Sequence, residues 1–448
     1  LVHQPTNKSI TGIARLLQEA KASQSIARAM ADGSLDAEVV IVGGGIAGLA
    51  TAVALQRAGV APGGRGILVL ERHPELRATG TAMTVFPNGW FALRALGVAH
   101  KLTSRYDVIE KSRVTNLETG TTQVFRFAGN KVSDEVRMRA VDRKALLDAL
   151  ADELPPGMVR FSSKLVSIDA IPATSGSSEA TVLRLEDGAV IRAKILIGCD
   201  GVHSVVARWL GLSEPLRSGR STIRGLSVYP SGHGLKQEIR QYLSNGIRAG
   251  LLPISNTGIY WYLVNNTIPQ EKVASADPVK ILREVTENLG AHLPAEYLDV
   301  VRNTDLRNLS WAPLLYRNPW GVLTGKAARG TVTVAGDAFH PMTPEMAQGG
   351  CSALEDAVVL ARALSQAATP SEGLAAYVAK RRGRATWLVA VAYVSGWVQQ
   401  GGTNVHAAVG WVVRLFRDWI FFRFVFPRLA DTMWYNCGDL VPCKNHTE

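Results

Sequence analysis

Cysteine is scarce: Cys199, Cys351, Cys437 and Cys443 are the only four in 448 residues. They are too few and too scattered for a disulfide framework, and no Cys/His spacing resembles a zinc site, so no metal is expected. A reducing, intracellular setting follows as the expectation, cytoplasm or plastid. Long membrane-spanning runs are also lacking. Residues 39–56 carry no charge, but their three consecutive glycines and the switch from strand to helix pattern mark a buried βα unit rather than a span. The chain has no basic run with interleaved aromatics and no nucleic-acid module. Its net charge of +11, from 49 basic and 38 acidic side chains, therefore suits anionic small ligands better than nucleic acid. A hydrophobic content of 47% over this length allows two or three globular domains with a large core.

What is present is organised around one stretch, Glu38-Val39-Val40-Ile41-Val42-Gly43-Gly44-Gly45-Ile46-Ala47-Gly48, followed by a helical pattern to Arg57. A β-branched run, Gly-x-Gly-x-x-Gly and a helix form the dinucleotide fingerprint. Gly43 serves the tight turn, Gly45 admits a pyrophosphate next to the backbone, and Gly48 allows close helix–strand packing. The phosphates then meet free N–H groups at a helix N-terminus. Ile67-Leu68-Val69-Leu70 reads as the second strand and delivers Glu71, whose carboxylate suits the ribose hydroxyls of FAD or NAD and repels a 2′-phosphate; Arg72 follows at the same strand end.

Further along, Thr84 lies on a strand that leads into a helix at Trp90, and Arg139 and Arg143 flank a helix start capped by Asp142, where an arginine can reach a phosphate or ribityl group. Residues 159–197 read as strands with a hairpin at Glu186-Asp187-Gly188. They end in Ile197-Gly198-Cys199-Asp200-Gly201, an acid at the carboxyl end of a buried strand, where open α/β sheets place ligands. From 226 to 266 the pattern alternates and is rich in aromatics, as an antiparallel sheet forming one wall of a substrate cavity would be. Two helical segments follow, at 278–289 and 294–302. The chain then returns to the first domain at Val334-Ala335-Gly336-Asp337. Asp337 is placed for ribityl hydroxyls, and Gly349-Gly350 opens a helix over 351–364 whose N–H groups can meet the edge of a flavin ring. His340, between Phe339 and Pro341, suits a structural role, and the macrodipole accounts for Glu355 and Asp356 near that helix start. The tail from 370 is helical and basic, with Trp387, Trp397, Trp411, Trp419 and Trp434. Arginines and Asp418 break its apolar run 409–426, leaving a helix packed on the first domain or a peripheral membrane contact through 405–427. Residues 1–36 carry serines, basic residues and an amphipathic pattern over 10–30, which suits an organellar targeting segment or a surface helix.

Taken together, Gly43 to Gly48, Cys199-Asp200-Gly201 and Gly336-Asp337 with Pro341 and Gly349-Gly350 resemble the three ordered motifs of the single-component FAD-dependent aromatic hydroxylases, the p-hydroxybenzoate hydroxylase-like flavoprotein monooxygenases. The resemblance covers roughly 37–390, and Ala347-Gln348-Gly349 departs from the family's Gly-Gln-Gly. Within the family the chain looks closest to plant-type monooxygenases resembling FAD-dependent urate hydroxylase. Arg248 and Tyr260 match the residues that flank the substrate there, and Thr84, Arg143 and Asp337 match FAD contacts.

The resemblance implies an α/β fold, with a Rossmann-like FAD-binding domain (37–115, 136–221 and 321–368), an inserted antiparallel substrate sheet (116–135 and 222–320) and a helical C-terminal region (369–448). It implies a monooxygenase using FAD, NADH or NADPH, and O₂ to hydroxylate a small aromatic or heteroaromatic substrate through a flavin C4a-hydroperoxide, with Arg248 pairing an anionic substrate and Tyr260 orienting or deprotonating it. A reductase of the same superfold, a carotenoid-type epoxidase and a non-catalytic flavin-binding protein are the alternatives.

Overall fold

A computed structural model describes residues 35–60, 66–77, 82–127, 133–171, 180–244, 246–267, 277–402 and 406–440. The targeting question at 1–36 lies almost wholly outside these residues.

The apolar runs read as strands form a parallel core. Leu35–Val42 lies at its centre, with Ile67–Leu70 on one side and Val190–Gly198 on the other. Val159–Arg160 extends the first flank and Val332–Val334 the second, both in parallel register. Ile67–Leu70 and Val332–Val334 are buried at every position, as strands covered on both faces must be. The helices Ile46–Arg57 and Gly349–Gln366 pack against each other above this sheet. The expected hairpin is present: Ala180–Leu185 pairs antiparallel with the first half of Val190–Gly198. Three strand ends thus point the same way and deliver Gly43, Asp200 and Asp337 to one edge.

A second sheet has seven strands, ordered Ser310–Tyr316, Leu216–Val228, Gly258–Asn265, Ile247–Pro253, Ile239–Ser244, Lys111–Asn116 and Thr122–Arg126. All its pairings are antiparallel except Ile239–Ser244 with Lys111–Asn116, which is parallel. Its alternation sorts the aromatics. Ile259, Trp261 and Leu263 are buried in a cluster with Tyr297 and Val285 of the helical segments behind, whereas Tyr260, Tyr262 and Val264 face the front. The divisions expected at 115/116 and 221/222 fall inside Lys111–Asn116 and Leu216–Val228. Ladder pairing, not a change in composition, sets where these strands end.

The tail begins with a 30-residue helix, Pro370–Gln399, whose N-terminus carries a capping box between Thr369 and Glu372. After it come Ala407–Phe416, a π-helical stretch Arg417–Val425 and short turns to Trp434. Among the described residues no helix is long and apolar enough to cross a membrane. The tail packs on both domains: Met433 joins a buried cluster with Phe86 and Met138 of the first. Phe422 and Phe426 pack their rings 5.9 and 5.5 Å from Phe125 of the second sheet's outermost strand. Arg417 is buried there, held by Asp418 at 2.7 Å and close to Glu118 at 3.6 Å.

Candidate active site

Local chemistry fixes the fingerprint turn. Gly43 has φ +108°, and a Cβ there would lie 2.3 Å from the carbonyl oxygen of Cys199 on the neighbouring strand end. At Gly48 a Cβ would fall 1.8 Å from the carbonyl oxygen of Gly43, so only glycine lets the helix sit this close to the turn. Gly45 differs, because nothing lies within 4 Å of where its Cβ would be. Its open side faces a cavity of about 840 Å³.

That cavity gathers most of the residues singled out in the sequence. Gly43, Gly45, Glu71, Arg72, Thr84, Arg143, Asp200, Gly201, Asp337, Gly349 and Gly350 line one part of it, and Arg248 and Tyr260 another. Gly48 lies behind the wall as a packing residue. Glu71 is locked in place, accepting hydrogen bonds from the backbone N–H groups of Gly44 (2.8 Å) and His73 (2.9 Å). Asp200 accepts from the Ser204 hydroxyl (2.5 Å) and the Val205 N–H (2.7 Å), and burial still pushes its carboxyl above the usual range. Burial likewise raises Asp337, against the pull of His340 and Arg143. Burial lowers the Arg143 guanidinium, and its Nε is buried without a partner.

Three features suit an extended, hydroxyl-rich anion such as FAD: an open cradle at Gly45, a fixed carboxylate at Glu71, and Arg143 and Asp337 on the cavity wall, each within reach of the other's charge and with Arg143 Nε free to bond. Among the described residues no cluster of histidine, cysteine or acids could hold a metal.

The loops carrying Asp337 and Gly349 rest on buried charges, Glu355 and Asp356, that do more than answer the helix dipole. Asp356 accepts from the Gly336 N–H (2.8 Å) and from Arg381 (2.6 Å), and lies 2.6 Å from His340 Nε2. Glu355 pairs with Arg381 and Arg384 and accepts from Asn88 (2.6 Å), whose amide also donates to Gln348 (2.8 Å). The macrodipole account is therefore insufficient, since both carboxylates are fully buried and need these cations. His340 belongs to this support rather than to the cavity. Ala347 adopts the left-handed conformation, φ 48°, which suits the glycine usual at this place better than alanine.

On the substrate sheet, Arg248 donates to the Tyr262 hydroxyl (3.2 Å) and to Gln241 (3.3 Å), and its guanidinium lies 5.1 Å from the centre of the Tyr262 ring. Tyr262 and Gln241 were missed in the sequence, and register explains their roles. Tyr262 stands opposite Gly250, where a Cβ would lie 2.6 Å from the ring, so the phenol can cross to Arg248. The spacing of Tyr260 and Tyr262 by two, on one strand face, was the available signal. Tyr260 lies beside Tyr262 with ring centres 6.2 Å apart, and burial raises both phenols. Phe426 and Met433 of the tail close the cavity.

A family model described as an FAD binding domain matches residues 36–392. The chain belongs to that family. It is 37% identical to Monooxygenase 2 of Arabidopsis thaliana over 90% of this chain and 98% of that protein. It is 27% identical to the FAD-dependent urate hydroxylase of Mycolicibacterium vanbaalenii over 79% of this chain and 86% of that one. Among solved structures, Klebsiella pneumoniae HpxO, complexed with FAD and uric acid, superposes with a TM-score of 0.74 at 22% identity, over 90% of this chain and 98% of that one, which shows a shared fold. The protein is an FAD-dependent monooxygenase of the aromatic hydroxylase type.

Proposed function

We propose that this monooxygenase takes reducing equivalents from NADH or NADPH and, with O₂, hydroxylates a small aromatic or heteroaromatic substrate held on the second sheet. The observation that carries this reading is the single cavity in which Arg248, Tyr260 and Tyr262 face the fingerprint, Asp200 and Asp337. The names of similar proteins support the substrate class: a urate hydroxylase and a 3-amino-4-hydroxybenzoate 2-monooxygenase of Streptomyces platensis.

Gly43, Gly45 and Gly48 form the pyrophosphate turn, and Glu71 takes the adenosine ribose with Arg72 at the rim. Thr84, Arg143 and Asp337 face the ribityl and phosphate portion, and Asp200-Gly201 and Gly349-Gly350 flank the rest of the cofactor. Bound flavin supplies the electron transfer from nicotinamide and the activation of O₂. The chain's own residues do the rest. Arg248 attracts an anionic or polarised substrate edge and is aimed by Tyr262 and Gln241. Tyr260, whose phenol burial keeps protonated, orients the ring as a donor rather than removing a proton. Phe426 and Met433 exclude water from the reacting centre. The one fingerprint leaves nicotinamide no Rossmann domain of its own, so it docks transiently at this cavity. The enzyme acts inside the cell, in cytoplasm or plastid, with a peripheral membrane contact through 405–427.

Oxygen uptake by the FAD-loaded enzyme with NADH or NADPH, with and without urate, salicylate-type acids and xanthophylls, tests this. Stimulation by one aromatic, with product formed in step with nicotinamide oxidised, is expected. A flavin that nicotinamide fails to reduce under every addition overturns it.

A further inference from the structure

The tail segment from His406 to Trp434 is built inside out. Its protein-facing side holds Gly410, Val413, Phe421, Phe422 and the charged Arg417, all buried. Its outward side holds Val409, Trp411, Val412, Trp419, Ile420 and Phe424, with Trp419 69% and Trp411 58% exposed. An apolar face of this length turned to solvent calls for a cover. Arg423 and Arg428 are exposed within the same face, and the chain carries +11 overall. That charge complements an anionic lipid surface and repels a second copy of the chain. Tryptophan and arginine at one edge of an apolar helix face suit the headgroup level of a bilayer, and since no described helix can cross, the contact lies flat.

The same segment leads into the cavity. Phe424 is exposed, and within the next turns Phe426, Ala430 and Met433 line the cavity wall. We propose that the tail docks on an anionic lipid surface and admits from it an amphiphilic aromatic substrate. Its apolar part runs along Phe426 and Met433 while its polar ring reaches Arg248 and Tyr260. The substrate end of this inference rests on the aromatic hydroxylase reading; the docking end does not.

The test compares the FAD-loaded enzyme with a W419E/F424E variant, which alters only solvent-facing side chains and whose fold is checked by FAD content and thermal unfolding. The wild type is expected to co-sediment with phosphatidylglycerol vesicles and much less with phosphatidylcholine vesicles, and the variant to bind at least tenfold more weakly. 4-Dodecylphenol carried in the phosphatidylglycerol vesicles is expected to perturb the flavin absorbance of the wild type at least tenfold faster than that of the variant, while phenol in water perturbs both alike. The inference is overturned by a wild type that stays in the supernatant, including one that sediments as a dimer through this face. It is equally overturned by a flavin that vesicle-borne dodecylphenol leaves untouched, or by a variant that responds as fast as the wild type. An enzyme that meets both expectations yet consumes no oxygen with any aromatic supports the docking route and sinks the hydroxylation reading alone.

Discussion

Asp337 sets binding against folding. Burial raises its carboxyl above the ordinary value, with His340 and Arg143 opposing, so the folded chain holds that proton more tightly than the unfolded chain does. Its contribution to stability is thus greatest at low pH and is lost as pH rises from the unfolded value near 4 through the folded one. Asp337→Asn is expected to raise the unfolding midpoint of the FAD-free protein at neutral pH. It should also weaken FAD by roughly 10- to 100-fold, the worth of a hydrogen bond to a charged group. Denaturant melts of the apoprotein and FAD titrations measure the two effects; an Asn variant that binds FAD like the wild type removes Asp337 from the ribityl chain. On the opposite wall, Arg248→Ala should lower kcat/KM for an anionic aromatic by about 10- to 100-fold. Tyr262→Phe should lower it by about 2- to 10-fold, because it loosens Arg248 without removing the charge. Because burial raises the Tyr260 phenol, any alkaline fall in activity below about pH 10 should persist unchanged in Tyr260→Phe. Loss of that limb would instead show that Tyr260 ionises in this range and that activity needs its proton.

At the scale of elements, the helices Gly349–Gln366 and Pro370–Gln399 form a platform under the flavin loops through Glu355, Asp356, Arg381 and Arg384. Burial disfavours the Asp356 charge, but His340, Arg381 and the Gly336 N–H more than compensate and hold the carboxyl down at about 2. With the folded value below the unfolded one, this contribution is full above pH 4 and disappears as pH falls towards 2. Asp356→Ala leaves Arg381 one partner short and should destabilise the fold by about 3–5 kcal/mol. It should also flatten the loss of stability between those pH values, read from denaturant midpoints across an acid series; an unchanged acid profile would place that loss on other carboxylates. This platform was hidden in the sequence. The fingerprint turn, Glu71 and the strand-end acids were legible because strand, turn and helix are local and glycine is demanded at set offsets. The pairing of Glu355 with Arg384 depends on how two helices cross, and that of Arg248 with Tyr262 on a ladder register that Gly250 permits. Neither is written in any short window. Arg139, which shares the sequence neighbourhood of Arg143, instead lies over the Trp90 ring at 5.3 Å and binds Asp134. Two arginines at one helix start have opposite destinations because one side chain points into the core and the other into the cavity.

For the whole molecule, the cavity exists only because three parts close on it: the strand ends of the parallel sheet, the front of the second sheet, and the tail. The family match ends at residue 392, before the residues of the tail that complete the wall. Phe422 is buried against Phe125, Phe421 and Phe426, so this aromatic cluster is what seats the tail. Truncating a buried phenylalanine costs about 3–5 kcal/mol, and here the loss falls on local docking rather than on the parallel core, so the tail should open while the flavin domain stays folded. Phe422→Ala is therefore expected to retain FAD and to oxidise nicotinamide, but to release several-fold more hydrogen peroxide per nicotinamide consumed, because water reaches a centre that Phe426 and Met433 otherwise shield. Hydrogen exchange should rise across 406–434 and remain unchanged across the central strands. If exchange rises in the tail and the peroxide yield does not, the tail is not the element that keeps water from the reaction, and the shielding must come from the sheet and flavin loops alone.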